Sequence, residues 1–487
     1  MKRTAAAVLL LIAMLSACGE EPLGNAEGST ALEGGENQAE ADIQTEDSYL
    51  DTIPEYDFGG GAFRLAVNSQ DDRPNVHADE ENGEIINDAM IARDRAVGEK
   101  YDLELVYSVY DSRGAVADAV TKTVRAGEDA FDVVIAPPCQ ALDAMVQGGI
   151  CCDLTQLEAL SLGSGWWSQS MNSAMRHNGK IYASAGPMAL CYVYSPYAFF
   201  VNLSMAQNHS LPDVYQLVTD GKWTIDGMAS MMSAVSFDIN SDGLMDEKDR
   251  YGLTTTMESG KAFYLGCGAD MAVKTDGGAE LLMDSQRSID ILDRLNAIMK
   301  SDDAYCTDGD SAHASDSQFK ISFFVQSRAL FAAAPLQWGV LSFRDMSDDY
   351  AILPYPKYDE AQDKYYTHMN SFFPYGVAVP VTNTRPQETG AVMESLAYLS
   401  HTTILPLIHD VVLKEKVARD EQSKKMLDIL YENVKIDLNT VYDFGGSASL
   451  LREYAVGESD DFASAYAKIE KKVTGAVEKM LESLSDL

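Results

Sequence analysis

"GGAFRLAVNS", residues 60–69, places Phe63, Leu65 and Val67 on alternate positions and then runs into polar residues. That pattern is a β-strand feeding a loop. The alternation of patterns over residues 83–138 decides the fold class. In "GEIINDAMIARDRAVGEKY" (83–101), Ile86, Ala89, Met90, Arg93 and Val97 recur at helical spacing. "DLELVYSVY" (102–110) alternates again, "RGAVADAVTKTVRAGE" (113–128) returns to a helical pattern, and "FDVVIAPP" (131–138) is a short apolar strand stopped by two prolines. Strands that alternate with helices predict a parallel α/β sheet. Ligands of such sheets sit beyond the carboxyl ends of the strands. Here those ends are Asn68, Ser69, Gln70 and Asp71 on one strand, and Pro138, Cys139 and Gln140 on another.

Further along, "NGKIYASAGPMALCYVYSPYAFFVNLSMAQ" (178–207) is a turn followed by an extended aromatic run. "LPDVYQLVTDGKWTIDGMASMMSAVS" (211–236) predicts a helix with Thr224 as its N-cap. A second α/β stretch comes next, with a strand and a helix start in "QSRALFAAAPLQWGVLSF" (326–343) and another strand in "NSFFPYGVAVP" (370–380). The remainder is largely helical.

"FDINSDGLMDEKDRYG" (237–252) has the spacing of a calcium loop. Asp238, Asn240, Asp242, Asp246 and Asp249 occupy positions 1, 3, 5, 9 and 12, with Gly243 at the sharp turn and the Leu244 carbonyl at position 7. Asp at position 12 is shorter than the usual Glu, and "RYGL" leads into a strand rather than a second helix. The pattern therefore predicts either a structural calcium clip or a solvated turn rich in Asx residues.

The chain opens with "MKRTAAAVLLLIAMLSAC" (1–18). Two basic residues precede an apolar run of about ten, half of the roughly twenty needed to span a bilayer, so the segment reads as an export signal of residues 1–17. "LSAC" resembles a lipobox, which makes Cys18 the lipidated first residue of the mature chain. Between Gly19 and Glu55 there are eleven Asp or Glu and no Lys or Arg. Such a segment cannot offset its chain entropy by burial, so 18–55 is expected to be a disordered acidic tether of roughly 30–40 Å.

A formal charge of −38 argues against nucleic acid as a partner. The six remaining cysteines, Cys139, Cys151, Cys152, Cys191, Cys267 and Cys306, show no zinc spacing, and are either disulfides or buried thiols. No G-x-S-x-G, H-E-x-x-H, P-loop or G-x-G-x-x-G occurs, and His401 and His409 lack a carboxylate at metal spacing. A glycosidase dyad is defined by separation in space, not along the chain, so a lipid-anchored glycan-active hydrolase with a carboxylate pair remains the alternative.

Together these stretches resemble the extracellular solute-binding proteins of family 1, the maltose-binding-like receptors of ABC importers. The resemblance rests on "LSAC", "YDFGGGAFRLAVNS" (56–69), "GEIINDAMIARDRAVGEKY", "FDVVIAPP", "NGKIYASAGP", "PDVYQLVTDGKWTIDGM", "DINSDGLMDEKDRYGL" and "DVVLKEKVARDEQSKKMLDIL" (410–430). It implies a type II periplasmic-binding-protein-like fold: two α/β lobes, a cleft between them and crossover hinges. The first lobe would take 56–194 and 371–412, the second 195–370 and 413–487, with crossovers near Tyr194-Ser195 and Asn370-Ser371. It also implies a non-enzymatic protein outside the cytoplasm, anchored by lipid, that binds a carbohydrate, most often an oligosaccharide, and delivers it to permease subunits. A peptide or polyol is the other solute class. No cofactor is required beyond the possible structural calcium.

By the same resemblance, Trp338 in "PLQWG" corresponds to a stacking tryptophan, Tyr264 to a cleft aromatic, and Phe372, Phe373 and Tyr375 to the re-entry into the first lobe. With Asn68, Ser69, Gln140 and Tyr194 these make up the expected ligand-binding set. Flat rings suit the C–H faces of sugars; hydrophobic core is the other role open to each ring. Trp166 and Trp167 are expected at the first lobe's edge and Trp223 in the second lobe's core. "APPCQ" (136–140) departs from the maltose-binding pattern, which carries a tryptophan and an acid there, so maltose itself is not implied.

Overall fold

The computed structural model describes residues 49–68, 76–275, 278–313, 315–343, 346–370, 375–409 and 421–485. Cys18, Ser69, Phe372 and Phe373 lie outside them, as does the signal segment.

Alternation along Gly61–Asn68 becomes a central strand buried on both faces. It pairs in parallel with Leu103–Tyr110, from Gly61↔Leu103 to Asn68↔Tyr110, and with Val133–Ala136 on its other side. Phe63, Leu65 and Val67 pack toward Val97 and Tyr101 of the helix Ile85–Tyr101 and toward Ala391 and Val392 of the helix Pro386–Leu399. Ala66 and Val134 face Val116 and Val120 of the helix Arg113–Arg125, whose first turn is capped by Ser112. Two antiparallel strands complete this sheet: Gly376–Ala378 beside Val133–Ala136, then Ser184–Ala185.

A second five-stranded sheet repeats the plan. Its order is Ala304–Cys306, Tyr251–Thr255, Ala329–Pro335, Tyr197–Asn202 and Tyr350–Leu353, the first three parallel and the last two antiparallel. Phe199, Phe331, Trp223, Phe263 and Tyr355 pack edge-to-face or tilted on one side of it. The buried Trp223 indole donates to the Pro354 carbonyl at 3.0 Å.

In each sheet the fourth strand is supplied by chain arriving from the other sheet. Tyr197–Asn202 comes after Ser184–Ala185, and Gly376–Ala378 after Tyr350–Leu353. The connecting segments run side by side. Pro196 bridges Met369 antiparallel, and Thr367–His368 pairs in parallel with Val434–Lys435, so three passages of chain form one narrow joint. Beyond it, the helix Ser447–Ala455 packs on Ser259–Gly266 of the second lobe, while Leu438–Tyr442 touches Pro138–Leu142 of the first.

Residues 49–53 depart from the expectation of a disordered segment over 18–55. Leu50–Thr52 is a turn of 3-10 helix, Ile53 is buried in the first lobe, and the Tyr49 hydroxyl donates to the buried Glu394 carboxylate at 2.6 Å. An aromatic residue and an isoleucine are enough to dock 49–53, although the acidic composition of the segment hides them. All six described cysteines are free thiols, and no described helix is long and apolar enough to cross a membrane.

Candidate ligand-binding site

Both sheets end their parallel strands in polar residues. In the second, Tyr251–Thr255 exits into Thr256, Met257 and Glu258 and enters the helix Ser259–Gly266, while Ala304–Cys306 exits into Thr307 and Asp308. Asp308 ties the two exits together, accepting the Met257 amide at 2.7 Å and pairing with Lys320. In the first, the exits are Asn68, Tyr110 and the loop Pro137–Gln140.

Glu258 is the centre of the second set. Its Oε1 accepts from Lys261 Nζ at 2.8 Å and its Oε2 from an Arg452 guanidinium nitrogen at 2.9 Å; His368 Nε2 stands 3.8 Å from Oε1. Burial alone would push this carboxyl up, but the Lys261 ammonium, His368 and the hydrogen bonds hold it well below the usual carboxylate range. The approach of Arg452 depends on a glycine. A Cβ at Gly260 would stand 2.3 Å from the Arg452 carbonyl oxygen, so only glycine lets the two helices meet closely enough. The result is an ionised acceptor flanked by charged donors, the equipment needed to hold a hydroxyl-bearing solute.

Pro138–Leu142 brings the first lobe to the same place. Gln140 is exposed and holds a left-handed backbone (φ 68°, ψ 13°), a strained conformation for a residue with a side chain. Burial pushes the Cys139 thiol up to about 12, Asp143 adds to that, and the Lys261 ammonium of the second lobe opposes it. The exits of the two sheets are therefore within electrostatic reach of one another. Burial also raises the Asp143 carboxyl to about 6, and its Oδ1 has no hydrogen-bond partner among the described residues.

The expected ligand-binding residues fall into three groups. Gln140 and Trp338 lie at strand exits; Trp338 is half-buried, comes directly after Ala329–Pro335 and stands edge-on to Phe343 with ring centroids 6.2 Å apart. Asn68 ends its strand but is buried, its side-chain amide donating to the Tyr110 carbonyl at 2.9 Å. Tyr194, Tyr264 and Tyr375 are core side chains. Tyr264 is 0% exposed, with its hydroxyl bonded to Ser288 and the Asp270 carbonyl, so its ring offers no free face for stacking. Trp166 and Trp167 both donate to Glu394, at 3.0 and 2.8 Å. Sequence reasoning missed Glu258, Lys261, His368 and Arg452. The strand-exit rule, applied to "LTTTMESGK" (253–261) as it was to the first lobe, would have found the first two.

The expected calcium set is not assembled. Asp238 accepts the Ser241 and Gly243 amides, Asp242 the Leu244 amide, Asp249 the Ile239 and Asp246 amides, and Asp246 binds Lys248. Asn240 pairs with Asp242, and Leu244 is among the exposed side chains. The carboxylates are turned onto the loop's own amides and Lys248. Among the described residues no group of three or more His, Cys, Asp or Glu is arranged to hold a metal ion. The loop is an Asx-closed turn. A cavity of about 520 Å³ opens elsewhere, lined by Leu203, Ala206, Leu211, Val214 and Tyr215 among others. It is removed from the strand exits.

No protein-family model matches the sequence, and no curated protein matches it. Solved structures do match. The chain is similar to the galacto-N-biose/lacto-N-biose I-binding protein of a Bifidobacterium longum ABC transporter, at TM-score 0.56 and 11% identity over 88% of this chain and 98% of that one. It is similar to an ABC substrate-binding protein of Listeria monocytogenes solved with cycloalternan, at TM-score 0.53 and 12% identity over 88% and 99%. A family 1 extracellular solute-binding protein of Bifidobacterium longum subsp. infantis matches at TM-score 0.53 and 12% identity over 88% and 100%. The fold is therefore the two-lobed, type II fold of these solute-binding proteins.

Proposed function

We propose that the protein is a receptor outside the cytoplasm that captures a carbohydrate, most simply an oligosaccharide, between its two lobes and delivers it to an ABC permease. The observation that carries this reading is the pairing of two sheets of the same order across three adjacent crossovers, with Glu258, Lys261 and Arg452 at one set of strand exits and the Gln140 loop at the other. Cycloalternan and lacto-N-biose, the ligands of two of the similar structures, support the ligand class.

On this reading residues 56–194 and 371–412 form the first lobe and 195–370 and 413–487 the second. A solute that touches both lobes stabilises their closed arrangement, and the crossovers absorb the motion. Gln140 and Trp338 are the ligand-facing candidates; Ser69 and Phe372, from the same expected set, lie outside the described residues. Cys18 carries the lipid anchor, and the acidic segment behind it gives the receptor reach from the membrane.

The test is a melting-temperature screen of the purified protein against neutral and acidic mono- and oligosaccharides, followed by calorimetry and product analysis of each hit. A ligand that binds only the folded state raises the melting temperature by mass action. Saturable binding of one glycan class without turnover is the expected result. Cleavage of the glycan would establish a hydrolase, and shifts with peptides or polyols alone would move the ligand class.

A further inference from the structure

Two hairpins are drawn together by the chain just past Val434–Lys435, and both carry basic side chains. In the first, Arg176–His177 pairs antiparallel with Lys180–Ile181, Arg176 opposite Ile181 and His177 opposite Lys180. Its turn is Asn178-Gly179, both residues left-handed (φ 48° and 85°), the tight two-residue connection that this dipeptide favours. In the second, Ala272–Thr275 pairs with Gly278–Leu281, placing Lys274 opposite Ala279. The first hairpin continues the helix Gln169–Met175 and leads to Ser184–Ala185 of the first sheet; the second comes after the helix Ser259–Gly266.

The segment Ile436–Tyr442 fastens them side by side. Ser170 Oγ, on the helix that precedes Arg176, accepts the Ile436 amide at 2.6 Å. The next residue, Asp437, accepts the Met271 and Ala272 amides at 2.9 and 3.3 Å, where the second hairpin begins. The Tyr442 hydroxyl then stands 3.8 Å from the sulfur of Met175, the neighbour of Arg176. The basic groups feel one another as a result. Burial, Lys274 and Lys180 hold the His177 imidazole below its ordinary value, and burial with Arg176 lowers the Lys274 ammonium to about 8.

The nearby carboxylates are engaged elsewhere. Asp437 is spent on backbone amides, Asp270 pairs with Lys435 at 2.8 Å, and Asp153 accepts the Thr155 and Ile181 amides. Arg176 donates to the Gly179 carbonyl at 3.0 Å, and among the described residues neither it, His177 nor Lys274 has a carboxylate partner. In a chain of formal charge −38, a fold that gathers like charges without pairing them leaves a repulsion that a bound anion would relieve.

We infer that the two hairpins form a binding site for a small oxyanion, phosphate or sulfate, held by Arg176 and Lys180 from one side and Lys274 from the other, with His177 as a hydrogen-bond donor. The guanidinium presents paired N–H donors to such an anion and each ammonium a point charge. The site goes beyond the receptor reading and does not depend on it. A free anion and one carried on a sugar share this chemistry.

Calorimetry of the purified protein separates them, with sodium phosphate, sodium sulfate and glucose 6-phosphate as titrants and sodium chloride as the control, at low ionic strength so that the charges are not screened. Saturable binding of phosphate or sulfate at one site is expected, and Arg176→Gln and Lys274→Gln should each weaken it about tenfold, the worth of one charge-assisted hydrogen bond. Binding of glucose 6-phosphate alone would assign the site to an anionic substituent of a sugar. No saturable binding of any of the three overturns the inference, and so does an affinity unchanged in either variant, because the site needs both hairpins. If Lys274→Gln does not fold, Arg176→Gln, on an exposed side chain, decides alone.

Discussion

Two carboxylates, Glu394 fully buried and Glu258 partly buried, are held in opposite ways. Glu394, on the helix Pro386–Leu399, accepts only from neutral donors: the Tyr49 hydroxyl at 2.6 Å, the indoles of Trp166 and Trp167 at 3.0 and 2.8 Å, and the Ser161 amide at 3.2 Å. Glu258 is held by Lys261 and Arg452, with His368 Nε2 3.8 Å from its Oε1. The first is saturated. Its donors belong to the segment entering the domain and to the first lobe's edge, and its role is to fasten one to the other. The second sits at a strand exit with charged donors around it and the His368 imidazole behind it.

The largest effect should come from breaking the charged cluster. Glu258→Gln leaves two cations facing a neutral amide in a buried place and should cost about 3–5 kcal/mol in urea unfolding. Glu394→Gln turns an amide donor toward indole and hydroxyl donors and should cost less, about 1–3 kcal/mol. Equal costs would remove the distinction between the two sites.

A pH series sharpens it next. Because Glu258 is held below its ordinary value, its contribution is present above about pH 4.5 and is lost on acidification below that. Asp437, just after the strand Val434–Lys435, behaves in reverse. Burial raises it from 3.8 to about 6 even though it accepts the Met271, Ala272 and Asn439 amides. The folded state thus binds the proton more tightly than the unfolded chain, and stability falls as pH rises from about 4 to about 6, by at most about 3 kcal/mol. Asp437→Asn should flatten that slope. An unchanged slope, measured by unfolding between pH 4 and 7, would reassign it to the similarly raised Asp143.

Trp338→Ala should weaken binding of whichever glycan is found by about 1–3 kcal/mol, judged by the worth of a stacked aromatic. Calorimetry decides: lost stability at unchanged affinity would make Trp338 a packing residue of Phe343 alone. The smallest effect belongs to the clamp. Tyr49→Phe removes one of four donors to Glu394 and should lower stability by about 1–2 kcal/mol, with glycan affinity unchanged.

Much of the fold could be read along the chain. Period-two and helical patterns over 60–138 are local, and they named the strands and helices of the first lobe in order; the polar residues after each strand then pointed to Gln140. Trp338 was singled out through the family resemblance, and the structure places it just after the strand Ala329–Pro335. The tyrosines at 194, 264 and 375 were not, because a ring that packs in a core and a ring that meets a solute obey the same local pattern. The loop at 238–249 carried a ligand spacing, yet its carboxylates turn onto their own backbone amides, an outcome set by side-chain orientation and invisible in spacing.

What the sequence determined by itself is therefore the set of elements, their α/β alternation and the strongly acidic balance, all of which depend on composition and on neighbours in the chain. What only the tertiary structure decided is the cluster around Glu258 and the joint. Glu258 meets Arg452 across 194 positions, and His368 reaches them from a crossover paired with yet another segment. Those meetings are set by how two sheets and three chain passages pack, because ion pairing and burial depend on distance in space and leave no period in the sequence.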